Sequence, residues 1–193
     1  MSRWEKDLID AFLAEVEAED VDALVSATAP EGAPPPADLR ARLLADARHE
    51  GRFARFVPSV ASLLDVDDAT AQRLLDGIAV PENWYDSPIE PIRLYDLEGG
   101  PKVQNAIRGF VRMPAGSSFP EHEHLGTEHV LVVQGSFVDS SGEVHHPGDV
   151  VRMEGGTSHG FEVRPGPDLV YMFVGENGVR IGDVVFGPDT DAL

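Results

Sequence analysis

The 193-residue chain contains no cysteine. That absence excludes disulfides, thiolate nucleophiles, iron–sulfur clusters and cysteine-type zinc sites. A metal held here must sit among imidazoles and carboxylates, a donor set suited to zinc, manganese, iron or nickel rather than copper(I). Positive charge is scarce as well: 15 Lys and Arg stand against 34 Asp and Glu, a formal balance of −19. A field of that sign repels a phosphate backbone, so direct nucleic-acid binding is not expected. The one basic cluster, Arg40, Arg42, Arg48, Arg52 and Arg55, is interspersed with Asp38, Asp46 and Glu50 and reads as a solvated helix face. No apolar run approaches the roughly 20 residues of a membrane span. The opening MSRWEKDLIDAF carries acidic residues where a signal peptide needs a basic start, so a soluble, cytoplasmic chain is expected. There is no serine–histidine–acid arrangement with recognisable context, no glycine-rich phosphate loop and no repeat of solenoid length.

What is present divides into two grammars. Residues 1–88 read as helical. Trp4, Leu8, Phe12 and Val16 recur every four residues, with Ile9 and Leu13 widening the stripe. A proline-rich break, ATAPEGAPPPAD, interrupts the pattern over 27–38. Helical spacing resumes at Leu39, Leu43 and Leu44 and continues through Phe53, Phe56, Val57 and Val60 to Leu63 and Leu64. Asp67 and Asp68 are start signals for a last helix carrying Leu74, Leu75 and Ile78, which Pro81 ends. Residues 89–187 show short β-rich segments (IRLYDL, AIRGFVRM, HVLVVQGSFV, DVVRM, HGFEV, DLVYMFV) between glycine, proline and aspartate clusters, and 188–193 form a tail. Closely spaced strands with turn signals predict an antiparallel sandwich or barrel. The fold class is therefore mainly β, preceded by an α-helical region.

The stretch FPEHEHLGTEHVLVVQG, 119–135, carries the chemistry. Residues two apart on a strand share a face, and His122, His124, Glu128, Val130 and Val132 share one parity. Glu121, Glu123 and His129 fall on the other and are expected to meet water or a neighbouring chain. If LGT (125–127) preserves the inward direction, one face presents two imidazoles and a carboxylate and then turns aliphatic. Burying such a set is costly unless it is paired or binds a cation. A further ligand is expected from His159 in GGTSHGFEV, on a β-like segment after a glycine turn. His49 lies in the helical region, and His145 and His146 in the turn HHPGD, where solvent exposure is expected. Phe110, Arg112, Met113, Phe119, Met153, Phe161 and Met172 are candidates to line a pocket or simply fill the core. An inward Arg112 would suit a carboxylate-bearing ligand.

These residues resemble a known pattern. From Gly116 to Gly135 the chain reads G-x5-H-x-H-x3-E-x6-G, which fits the first cupin motif at every fixed position. Gly148, Gly156 and His159 fit the second motif, with Glu154 and Val163 in place of its proline and asparagine. The layout of ADLRARLLADA, LLDV, PENWYD and IRLYDLEGGP before the barrel is similar to the ChrR type of cupin. The resemblance implies a jelly-roll (double-stranded β-helix) barrel with one divalent metal on His122, His124, Glu128 and His159. Zinc is the metal of the type member, and iron, manganese and nickel suit the same donors. It also implies anti-sigma activity, with a sigma factor as protein partner. The family's N-terminal His/Cys zinc site has no counterpart in a chain without cysteine. A regulatory or sensory role, a metal-dependent dioxygenase or isomerase acting on a small-molecule ligand, and a purely stabilising metal all remain open, and no catalytic residue is assigned. Apolar helix faces and barrel edges lead us to expect a homodimer.

Overall fold

The computed structural model describes residues 51–188. The expected helix at Trp4–Val16, the proline-rich break, the segment from Leu39, His49 and the tail from 189 onward lie outside the described residues.

Two short helices open the described region. A 3-10 turn, Ala54–Phe56, leads into α1 (Val57–Leu64), which takes Pro58 in its first turn, where the missing N–H would have no partner anyway. It stops at Asp65, a left-handed residue with φ 56° whose N–H returns to the Ala61 carbonyl. The sequence predicts α2 (Asp68–Asp76) from its two aspartates, and Asp67 is its N-cap, accepting a 2.7 Å hydrogen bond from the Thr70 N–H. Ile78 falls just past this helix, in a 3-10 turn, Gly77–Ala79.

Twelve strands follow: β1 (Tyr85–Asp86), β2 (Arg93–Asp96), β3 (Ala106–Met113), β4 (Ser118–His124), β5 (Glu128–Gln134), β6 (Phe137–Asp139), β7 (Val144–His145), β8 (Val150–Met153), β9 (Ser158–Val163), β10 (Leu169–Glu176), β11 (Val179–Ile181) and β12 (Val184–Phe186). They form two antiparallel six-stranded sheets, in the orders β1-β2-β3-β10-β5-β8 and β12-β11-β4-β9-β6-β7. The predicted segment HVLVVQGSFV is not one strand. It breaks at Gly135, which has φ +71° and lies so close to the backbone of Asp168 and Leu169 that a Cβ would approach within 2.8 Å. Beyond it β6 joins the opposite sheet.

Alternation then builds two apolar cores. Val130 and Val132 of β5, with Val111 of β3 and Tyr171 and Phe173 of β10, face Phe137 and Phe161 of the other sheet. Leu131, Val133, Phe110, Val170 and Met172 point the opposite way and pack on Val60, Leu64, Leu74 and Leu75 of the two helices. The central strands are thus buried on both sides, which explains the unbroken VLVV of β5. Trp84 fixes the edge of the outer core, donating its indole N–H to the Ile78 carbonyl at 3.0 Å. Among the described residues no helix is long and apolar enough to cross a membrane.

Candidate metal centre

His122 and His124 leave β4 on its inward face, buried at 5% and 1% exposure. The register sets His122 directly across from His159 on β9. The turn LGT then carries the chain from the second sheet to the first. It is pinned by hydrogen bonds from Leu125 N–H to the Gly178 carbonyl and from Glu176 N–H to the Thr127 carbonyl. Glu128 therefore enters from the facing wall, pairing with Met153 of β8 and Gly175 of β10. Gly175 is what leaves it room, since a Cβ there would meet a Glu128 carboxylate oxygen at 3.2 Å.

The three imidazoles converge. Their ring centroids lie 4.6 Å (His122–His159), 4.9 Å (His122–His124) and 5.0 Å (His124–His159) apart, and one nitrogen of each falls within 4.8 Å of the others. Glu128 is outside that set, but its carboxylate comes to 3.9 Å from His124 Nε2, too far for a hydrogen bond.

Hydrogen bonds fix which nitrogens are free. The Thr157 hydroxyl donates to the Glu154 carbonyl at 2.6 Å, so its oxygen accepts from His124 Nδ1–H at 3.0 Å. That assignment leaves a lone pair on His124 Nε2, which is buried without any hydrogen-bond partner. His122 Nδ1 likewise donates to the Pro120 carbonyl at 3.1 Å, which turns its Nε2 lone pair outward from the strand backbone. A buried nitrogen acceptor without a donor is unfavourable by itself. Its position beside two more imidazoles and a carboxylate fits a cation.

Electrostatics agrees with that fit. Burial depresses the pKa of His122 and His159 to about 4, and the neighbouring imidazoles add to it. Burial also lowers that of His124. All three are neutral at neutral pH and offer lone pairs. Burial pushes Glu128 up to about 7, so its negative charge lacks a compensating partner.

The site opens on a cavity of about 380 Å³ between the sheets. Phe119, Met153 and Phe161 line it, whereas Phe110 and Met172 belong to the outer core and Met113 to the inner one. Arg112 does not point inward. It shares parity with Phe110, donates to the Ile78 carbonyl at 3.1 Å and stacks 4.4 Å over the Trp84 ring. Of the other parity in the opening stretch, Glu121 is exposed and Glu123 pairs with Arg180 at 2.6 Å.

His145 is the clearest correction. Expected in a solvated turn, it is only 5% exposed. It ends β7 opposite Phe137, packs on that ring at 4.7 Å and meets Asp139 at 3.3 Å. The turn begins one residue later, at the exposed His146. Asp139, Glu143 and His145 form a second group with ligand atoms within 4.8 Å. The alternation of VHH, with its first histidine in strand phase, was the available signal.

The family described as the ChrR cupin-like domain matches residues 92–179. No curated protein matches the chain. Among solved structures it is similar to a chain of the Rhodobacter sphaeroides complex of SigE with the anti-sigma ChrR. That likeness has 21% identity over 88% of this chain and 83% of that one, with a TM-score of 0.48. An acetylacetone dioxygenase from Acinetobacter johnsonii is 19% identical over 55% of this chain and 80% of its own, with a TM-score of 0.47. The polyketide cyclase RemF from Streptomyces resistomycificus is 21% identical over 53% and 78%, with a TM-score of 0.41.

Proposed function

We propose that this chain, which through residues 92–179 is a ChrR-type cupin, is a regulatory protein that holds one divalent metal ion on His122, His124, His159 and Glu128. The observation that carries the reading is His124 Nε2, buried and unpartnered among two further neutral imidazoles. Thr157 and the Pro120 carbonyl orient two of the rings, the role outer partners play around bound metals. Glu128 supplies negative charge from the opposite sheet. Its carboxylate stays half-protonated near neutral pH without a cation and gives up that proton when one arrives. A bound ion would supply Lewis acidity toward a ligand oxygen in the cavity. In this reading the helical region is the part that engages a protein partner, and the ChrR-type layout makes a sigma factor the one to test.

A second reading, a metal-dependent dioxygenase or isomerase, is supported by the apolar cavity beside the imidazoles. Metal content of protein purified without chelators tests the shared premise, with about one divalent ion per chain expected. A metal-free wild type sinks it. Metal-dependent retention of a host sigma factor favours regulation. Consumption of oxygen or of a small molecule by iron-, manganese- or nickel-loaded protein favours the enzyme.

A further inference from the structure

Tyr171 sits at the middle of β10, on the inward row with Leu169 and Phe173. It is 6% exposed, and its ring meets Phe161 edge-on at 5.9 Å. A buried phenol ordinarily finds a hydrogen-bond partner. Among the described residues the Tyr171 hydroxyl has none, and the side chain lines the cavity. It is therefore a donor presented to whatever fills that space.

We propose that the Tyr171 hydroxyl holds, by hydrogen bond, the oxygen of a small uncharged carbonyl compound with a hydrocarbon body, bound in the cavity beside the imidazoles. The inference rests on the cavity being a ligand site, but it requires no cation. The body follows from the wall, where Ile92, Leu94, Val111, Val130 and Phe173 surround the space with carbon. The absence of charge follows from the lining ions. Among the described residues Arg152 is the one lysine or arginine on the wall, and it is already paired with Glu154. Asp139 is taken up by Ser141, Glu143 and His145. An anion would find no free side-chain cation among the described residues of the wall, and an ammonium group, which only donates, could not accept the phenol's proton. A carbonyl oxygen takes the phenol's proton and brings no donor of its own to satisfy. Burial and then the nearby Glu128 raise the Tyr171 pKa well above its ordinary value, which keeps the phenol a donor throughout the physiological range. At about 380 Å³ the cavity equals roughly a dozen water-sized volumes, room for an aromatic or short aliphatic ketone.

Acetophenone is the probe and ethylbenzene its oxygen-free match. Both are titrated calorimetrically into wild type and Tyr171→Phe, each chelator-treated and, separately, loaded with Zn²⁺. Acetophenone is expected to bind wild type about threefold to tenfold more tightly than the variant, with ethylbenzene binding both alike. The infrared carbonyl stretch of bound acetophenone is expected to shift downward in wild type and not in Tyr171→Phe. Equal acetophenone affinities, an unshifted stretch in wild type, or no binding of acetophenone by wild type overturns the proposal. The wild-type stretch needs no variant, so a poorly folded Tyr171→Phe leaves the test intact. If the chelator-treated proteins differ as expected while neither retains Zn²⁺, the phenol assignment stands and the metal reading falls.

Discussion

Two histidine groups border the same cavity, and they differ in what each ring nitrogen finds. On β6 and β7, His145 Nε2 meets a carboxylate, Asp139 Oδ2, at 3.3 Å. Burial works against the ionised Asp139, but hydrogen bonds from Ser141, His145 and Glu143 outweigh it and hold its pKa down to about 2. That group is closed: donor and acceptor satisfy each other. On β4 and β9 the nearest carboxylate, Glu128, stops 3.9 Å short of His124 Nε2, and that nitrogen has no partner at all. A buried histidine is therefore not a ligand because it is a histidine. It becomes one where the surrounding hydrogen bonds occupy one nitrogen and leave the other empty.

The largest effect expected from this difference is on metal content. His124→Ala should leave the purified protein nearly metal-free, while His145→Ala should keep wild-type metal, both read by elemental analysis. Loss of the His145–Asp139 contact should instead appear as stability, about 2 kcal/mol lower in chemical denaturation. If the two variants lose metal equally, the distinction between open and closed groups fails. Next in size is Thr157→Val, which removes the hydroxyl that fixes the His124 tautomer without touching a donor atom. A drop of about 10- to 100-fold in metal affinity is expected from competition with a chelating dye. An unchanged affinity would mean that the 3.0 Å contact to His124 orients nothing.

Protons sharpen the comparison further. His122 and His159 release theirs near pH 4, and burial lowers His124 as well, so all three stay ready for a cation across the neutral range. Glu128 is the group that titrates near 7. Metal affinity should accordingly weaken by about tenfold per pH unit as pH falls below about 7. Glu128→Gln should bind more weakly at neutral pH and lose that slope. The sign for stability is opposite in metal-free protein. Because the folded pKa is raised from 4.5 to about 7, ionised Glu128 opposes folding as pH rises through that window, and the full penalty is present above 7. Metal-free Glu128→Gln should thus be more stable than metal-free wild type at pH 8, by about 3 kcal/mol, and no different near pH 4.5. Urea melts at the two pH values read this directly.

Much of this was legible in the chain. The inward parity of His122, His124 and Glu128 is visible in FPEHEHLGTEHVLVVQG, and the structure buries all three. The sequence did not reveal that LGT crosses between sheets, so that the imidazoles and the carboxylate face each other from opposite walls. Parity still worked because such a crossing reverses the chain and the inward direction together. His145 was misplaced because turn composition in HHPGD outweighed the strand phase of the residue before it. Phe110 and Met172 were ambiguous for a different reason. A strand covered on both faces has no polar side to mark which apolar row looks inward, and only the helices packed on one face resolve it.

Arg112 follows the same logic and gives the smallest expected effect. Its neighbours in β3, Val111 and Met113, belong to the inner core, so strand alternation turns the arginine outward toward α2 and the turn after it. There it spans the Ile78 carbonyl and the Trp84 ring, joining the helical layer to the sheet. Burial lowers its pKa only from a very high ordinary value, so it remains a cation. Arg112→Met keeps most of the aliphatic stem over Trp84 and removes the hydrogen bond and the charge. We expect a loss of about 1 kcal/mol in urea unfolding, with metal affinity and its pH slope unchanged. A change in metal affinity would mean that the outer core controls the inner site, and the two faces of the sheet would no longer be separable.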